Sequence, residues 1–141
     1  MDRPVRTFVL WKCRNLNLLR KNLQQMEERR QEILDESSSG VADGVPKAKY
    51  NVSDMVTNKA IRREQIEFAM KKIEYEIKTI LEFQQSLSGY EREIYDETIA
   101  KHGDLIAKAD LMCIGKNKLW EDRSKLLRQL ATRLGEYVDI E

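Results

Sequence analysis

The most constraining feature of the sequence is an apolar stripe in the middle of the chain. Its five positions, separated by alternating steps of four and three residues, are Ile66, Met70, Ile73, Ile77 and Ile80. This spacing places the side chains along one narrow face of an α-helix. Since a single helix cannot bury its own stripe, the pattern predicts a long helix that packs against another helix.

A second stripe with the same spacing lies near the amino terminus, in a helix predicted from about Thr7 to Glu36. Serines and Gly40 follow this helix, and Gly44 and Pro46 come soon after, as is typical of a flexible linker. Two stripes joined by a linker favour a helical hairpin within one chain or a coiled coil between chains. We therefore expect a homodimer or higher homo-oligomer that associates through the five residues of the central stripe and through Leu16, Leu19, Leu23 and Met26 near the amino terminus.

The composition agrees with an all-α fold. Charged residues make up 35% of the 141 positions, and there are only six glycines and two prolines, which favours solvated helices over sheets and loops. A Ser88-Gly-Tyr-Glu91 sequence predicts a capping box at the start of a further helix. The predicted division is an amino-terminal helix over 1–36, a linker over 37–52, a long coiled-coil-like helix over 53–86 and a carboxy-terminal module over 87–141.

Several classes of protein are disfavoured by what the sequence contains. The two cysteines, Cys13 and Cys113, lack the spacing of a zinc site, and the single histidine, His102, has no nearby nucleophile. The apolar run from Phe8 to Trp11 is too short for a membrane span. We expect a cytoplasmic protein with no catalytic site, metal or cofactor and no membrane contact.

The carboxy-terminal module has the pattern of a helix-turn-helix between Leu105 and Arg128. Small or apolar residues stand where two short helices must approach each other, at Ala109, Met112, Ile114 and Leu119. Cys113 occupies the turn position that glycine often fills. Asp122 departs from the pattern, since an apolar residue is usual there.

In this register a second helix begins near Gly115 and presents basic and polar side chains to a DNA groove. Asn117 is suited to bonding adenine or a phosphate, and the lysines on either side of it to meeting phosphate oxygens. Trp120 is equally compatible with a place in the core. The predicted DNA-binding residues are Lys116, Asn117, Lys118, Trp120, Arg123, Ser124, Lys125 and Arg128.

From Ile61 onwards the order of elements resembles the phage late transcription regulators of the RinA and ArpU type, whose carboxy-terminal part is similar to region 4 of sigma factors. The residues that carry the resemblance are Leu87-Ser88, Glu91-Arg92-Glu93-Ile94, Ala109, Met112, Ile114, Leu119, Arg123, Lys125, Leu126, Leu127, Leu130 and Ala131 to Gly135. The resemblance implies a phage or prophage late-gene activator that binds promoter DNA and works with host RNA polymerase in the bacterial cytoplasm. The acidic stretch from Glu91 to Glu97 is a candidate polymerase contact.

Two other readings stay open on the sequence alone. One is a helical interaction protein that sequesters a partner through its coiled-coil stripe without touching DNA. The other is a nucleic-acid coat protein that binds unrelated duplexes equally well. Competition between DNA sequences and mutation of the basic helix separate these readings from a sequence-specific regulator.

Overall fold

The computed structural model describes residues 2–39 and 52–135, with side chains described at 2–35 and 58–135, and this part of the chain is helical without β-strands. The all-α prediction is confirmed. The α-helices of the described residues are α1 (Arg3–Arg14), α2 (Leu16–Ser39), α3 (Val52–Ser86), α4 (Gly89–Ile94), α5 (Leu105–Leu111) and α6 (Lys116–Arg133). A π-helical segment, Tyr95–Ile99, continues α4.

The predicted helix from Thr7 to Glu36 is two helices in the structure. The first helix begins at Arg3, where Pro4 suits the first turn because its missing N–H would have no helical partner there. Asn15 leaves the helical conformation, with φ −120° and ψ 34°, and its side-chain amide donates to the Trp11 carbonyl at 2.7 Å. No glycine or proline marks this break. Most of the predicted linker, residues 40–51, lies outside the described residues.

The described residues form two compact units. The first unit contains residues 2–17 and 76–135, and the second contains residues 18–39 and 52–75. Helix α1 therefore belongs with the carboxy-terminal helices, whereas the sequence predicted a separate amino-terminal helix over 1–36.

The core of the first unit is assembled from residues of α1, the end of α3, α4, the π segment, α5 and α6. Helix α6 supplies one continuous apolar face, since its buried leucines recur at helical spacing. Against this face pack α1, the end of α3 and the π segment, and α5 covers one end. The core residues are Val9, Cys13, Ile80, Phe83, Leu87, Ile94, Tyr95, Ile99, Ala109, Leu119, Leu126, Leu127, Leu130, Ala131 and Leu134.

Two of the predicted association residues are occupied within the first unit. Ile80 is fully buried in the core, and Leu16 packs against it. The predicted interchain contact of Ile80 is wrong, because its side chain is fully enclosed by its own chain. Leu16 is half-buried, so its association with a second chain stays a prediction.

The rest of the two stripes is partly covered within a single chain. Leu19, Met70 and Ile77 are buried. The half-buried members are Leu23, Met26, Ile66 and Ile73. The stripes are thus less open than the sequence pattern suggests, and self-association through them stays a prediction.

The join between α4 and its neighbours differs from the predicted capping box. Ser88 precedes α4, but its side chain makes no capping hydrogen bond, and Gly89 has a φ of +59° between Ser88 and the rest of the first turn. Arg92 connects α4 to α3 instead. Its Nη1 donates to the Gln84 carbonyl at the end of α3 at 2.9 Å, and its Nε lies 3.2 Å from both carboxylate oxygens of Asp96.

Arg14 and Cys13 of α1 bind the π segment. The Arg14 guanidinium donates to the carbonyls of Thr98 and Ile99 at 3.2 and 3.1 Å, so it satisfies acceptors that the end of the helix leaves open. Cys13 and the Tyr95 hydroxyl share a side-chain hydrogen bond, and burial raises the pKa of the Cys13 thiol to about 11. The thiol is therefore a protonated packing group at neutral pH.

A buried ion pair joins α1 to α3 within the first unit. The Lys12 Nζ lies 2.9 Å from the Glu76 Oε1, and the two residues are only 3% and 5% exposed. The same ammonium lies 3.8 Å from the ring centroid of Phe8. Because both charges are withdrawn from water, each depends on the other to offset its desolvation.

We expect Glu76→Gln to lower the free energy of unfolding by about 3 kcal/mol, since it removes the carboxylate that pairs with a buried ammonium. Urea denaturation of the full chain measures this change. The matched control is Glu82→Gln, which breaks the exposed Lys78–Glu82 pair on the same helix at 3.8 Å and should cost less than about 0.5 kcal/mol. Equal losses in the two variants would contradict the role of the buried pair.

Candidate nucleic-acid interface

Helices α5 and α6 are joined by the tight turn that the sequence predicts. Asp104 directly precedes α5 and caps it, because its carboxylate accepts a hydrogen bond from the Ile106 backbone N–H at 3.0 Å. After Leu111 the chain turns through Cys113, which has a φ of 58°, in the left-handed region that glycine adopts without steric cost. Helix α6 then starts at Lys116, directly after Gly115.

The four predicted packing positions of the turn all contact the core. Ala109 and Leu119 are buried in the core, and Met112 and Ile114 pack against it half-buried. The Ile114 N–H donates to the Ala109 carbonyl at 3.0 Å, which closes the turn. The small side chain of Ala109 therefore allows the turn and α6 to approach α5 closely.

Asp122 departs from the usual pattern because it has a polar partner on α4. The Tyr90 hydroxyl donates to Asp122 Oδ2 at 2.7 Å, and the Lys118 Nζ lies 3.3 Å from the same oxygen. The Tyr90 hydrogen bond lowers the pKa of the Asp122 carboxyl. Burial and the neighbouring carboxylate raise the pKa of Tyr90 to about 12. A hydrogen bond thus joins α4 to α6 where an apolar contact was expected.

Most of the predicted DNA-binding residues are exposed, one is half-buried and one is buried. Trp120 is 46% exposed, and Ser124 is half-buried. The exposed charged and amide side chains are Lys116, Asn117, Lys118, Lys125 and Arg128. Their positions spread them around α6, with Lys116 and Lys118 on either side of Asn117, and these three residues stand at the free N–H end of the helix.

Arg123 is the exception, and its predicted place on the DNA-facing surface is wrong. It is only 6% exposed, because its position one turn after Leu119 turns it toward the core face of α6. Burial, together with the positive charges of Arg14 and Arg6, lowers the pKa of its guanidinium to about 10. Its Cζ lies 5.7 Å from the ring centroid of Trp120.

A groove beside α6 includes a residue from the other end of the sequence. It has a volume of about 440 Å³, and its lining is Arg6, Trp120, Glu121, Ser124, Lys125 and Arg128. Arg6 comes from α1, and its Cζ lies 5.4 Å from the centroid of the Trp120 ring. The sequence shows an excess of basic residues near the amino terminus, but only the packing of α1 shows that Arg6 lies beside α6.

Among the described residues, no helix combines the length and apolarity needed to cross a bilayer, and no group of three or more His, Cys, Asp or Glu side chains could hold a metal ion. No protein-family model, curated protein sequence or solved structure matches the chain. The resemblance to the phage regulators therefore stays a prediction.

We expect Cys113→Gly to raise the free energy of unfolding by about 0.5–1 kcal/mol, since glycine removes the strain of a left-handed residue that carries a Cβ. Cys113→Val should lower it by about 1–2 kcal/mol, because a β-branched side chain fits this conformation poorly. Urea denaturation under reducing conditions measures both changes. A glycine variant less stable than the valine variant would contradict the turn.

We expect Tyr90→Phe to cost about 1 kcal/mol of stability at neutral pH, the size of a hydrogen bond to a partly exposed charge. The pKa of Asp122 lies below its ordinary 3.8 in the folded chain, so its stabilising contribution is present above that value and is lost as the pH falls through the folded-state pKa. The difference between wild type and variant should therefore shrink below pH about 4. Urea denaturation at neutral and acid pH measures it, and a constant difference would argue against the Tyr90–Asp122 bond.

Proposed function

We propose that the chain is a double-stranded DNA-binding transcription regulator that docks α6 in the major groove. The observation that carries the proposal is the combination of a buried and an exposed face at the start of α6. Leu119 is buried against the core, whereas Lys116, Asn117 and Lys118 lie in solvent immediately after the turn. A helix held in this way can enter a groove without disturbing the packing that supports it.

The exposed side chains suit the two kinds of contact that a DNA duplex offers. Lys116 makes no ion pair with the described residues, so its ammonium is available to a phosphate. Lys118 shares its charge with Asp122 at 3.3 Å and is the weaker candidate. Asn117 carries the amide that pairs with the edge of adenine. Phosphate contacts fix the register of the helix, and the amide supplies sequence preference.

The partner in transcription is proposed from the resemblance, as a late-gene activator acting with host RNA polymerase in the bacterial cytoplasm. Two acidic side chains of the stretch from Glu91 to Glu97 already have partners in the chain. Asp96 pairs with Arg92, and Glu97 Oε2 lies 2.9 Å from the Lys108 Nζ. Glu91 and Glu93 are exposed. A polymerase contact through α4 would therefore use these two carboxylates.

A second candidate function is favoured by a different surface. Ile61, Phe68 and Tyr75 follow one another at seven-residue intervals on α3, and all three are exposed, Phe68 to 74%. A repeat of seven places them on one side of the helix, as in helices that bind another helix. In this alternative function the chain binds another protein through α3, and α6 does not bind DNA.

Charge reversal on α6 separates the two functions. Duplexes that bind the wild type are first enriched from a random-sequence pool, and their affinity is measured at two salt concentrations. We expect Lys116→Glu to raise the dissociation constant by a factor on the order of 10–100, because a phosphate contact is replaced by repulsion. The fold should tolerate this change, since an acidic residue at the start of a helix is favourable.

The matched control is Lys71→Glu, an exposed lysine on α3 that gives the same change in net charge. Equal effects of the two reversals would point to non-specific attraction and contradict a docked α6. A wild type that binds no duplex would overturn the DNA-binding proposal. Equal affinity for enriched and unrelated duplexes would favour a coat protein over a regulator.

A further inference from the structure

Two arginines from different helices meet at one side chain of α6. The Arg6 Cζ lies 5.4 Å and the Arg123 Cζ 5.7 Å from the centroid of the Trp120 ring. Arginine stacks well on aromatic faces, so the tryptophan fixes both guanidinium groups in place. This arrangement brings like charges together, which is unfavourable unless an anion is nearby.

The donors in this cluster lack acceptors. The Nε atoms of Arg6 and Arg123 are buried without a hydrogen-bond partner in the described structure. Arg14 is close by, but its guanidinium is already used by the carbonyls of Thr98 and Ile99. Buried donors are nearly always satisfied in folded proteins, so the unmet Nε of Arg6, a residue that lines the groove, indicates a missing acceptor.

The groove itself carries an excess of positive charge. Arg6, Lys125 and Arg128 line it against a single acid, Glu121, and no ion pair joins these four residues in the described part of the chain. The volume of about 440 Å³ lies within the range of sites that hold small ligands, so a sugar-phosphate unit fits. The Ser124 hydroxyl is a further donor that can form a hydrogen bond with a phosphate oxygen.

We propose that this groove between α1 and α6 binds a backbone phosphate of the DNA duplex, so that α1 is part of the DNA-binding surface. The inference rests on the proposed function and names a contact outside the helix-turn-helix. Arg6 and Arg128 supply charged donors, and Trp120 is a positioning residue that holds Arg6 by stacking rather than a wedge between bases. Arg123 lies beneath the groove and adds to its positive field.

Continuity with the start of α6 favours a duplex backbone over a free nucleotide. Asn117 and Ser124 are separated by seven residues, about two helical turns, so they lie on the same side of α6 and about 10 Å apart along its axis. Over that distance one DNA strand presents several phosphates, since they recur about every 3.4 Å along the axis. One strand can thus contact both the start of α6 and the groove.

The test is the salt dependence of duplex binding, measured on the full chain with the enriched DNA. Each phosphate contact contributes about 0.9 to the slope of the logarithm of affinity against the logarithm of salt concentration. Arg6→Gln should reduce the slope by about that amount, and Arg6→Lys should retain it because the charge remains. Arg62→Gln removes one exposed positive charge from α3 and should leave the slope unchanged.

The outcomes distinguish this inference from the proposed function. If Arg6→Gln keeps the wild-type slope while Lys116→Glu loses affinity, the groove contact is overturned and the docked α6 stands. If the wild type binds no duplex, both are overturned. If Arg6→Gln proves too unstable to assay, Arg128→Gln tests the same groove from an exposed position, and an unchanged slope there would also overturn the contact.

Discussion

The packing of α1 on α6 is the contact on which the first unit depends. Val9 and Cys13 place α1 in the same core as the leucines of α6. Arg14 then satisfies the carbonyls at the end of the π segment, and the buried Lys12–Glu76 pair joins α1 to α3. Without α1 the apolar face of α6 would have a solvent-exposed side, and Arg123 would lose the cover that buries it.

The same contact explains which parts of the fold could be predicted from the sequence. The turn between α5 and α6 is local, and its signals lie within a few residues, in Ala109, Cys113 and Leu119. Helical spacing also predicts α3 over nearly its full length. The docking of α1 joins segments more than a hundred positions apart in the sequence, and a periodic pattern does not say which partner a stripe will meet. For this reason the sequence pattern predicts an interchain contact for Ile80, which lies in the core of its own chain.

The site residues divide in a similar way. Lys116, Asn117 and Lys118 are exposed as expected because they follow directly from the turn. Arg123 shares the helical spacing of Leu119 and Leu126, but the pattern predicts exposure for it because a charged residue rarely occupies a core face. The break at Asn15 and the bond from Tyr90 to Asp122 depend on side-chain partners. Neither has a strong local signal, so the sequence alone could not supply them.

The discontinuity of the first unit has a consequence for how the chain can vary. The chain leaves the first unit after residue 17 and returns to it at residue 76, within α3. Residues 18–75 therefore connect two segments of the same unit. The described part of this segment is helical, in α2 and α3. For a flexible connection the entropy of closure grows only with the logarithm of its length, by about 0.6 kcal/mol for each doubling. A change in the number of residues between α2 and α3 should therefore alter the stability of the unit that carries α6 very little.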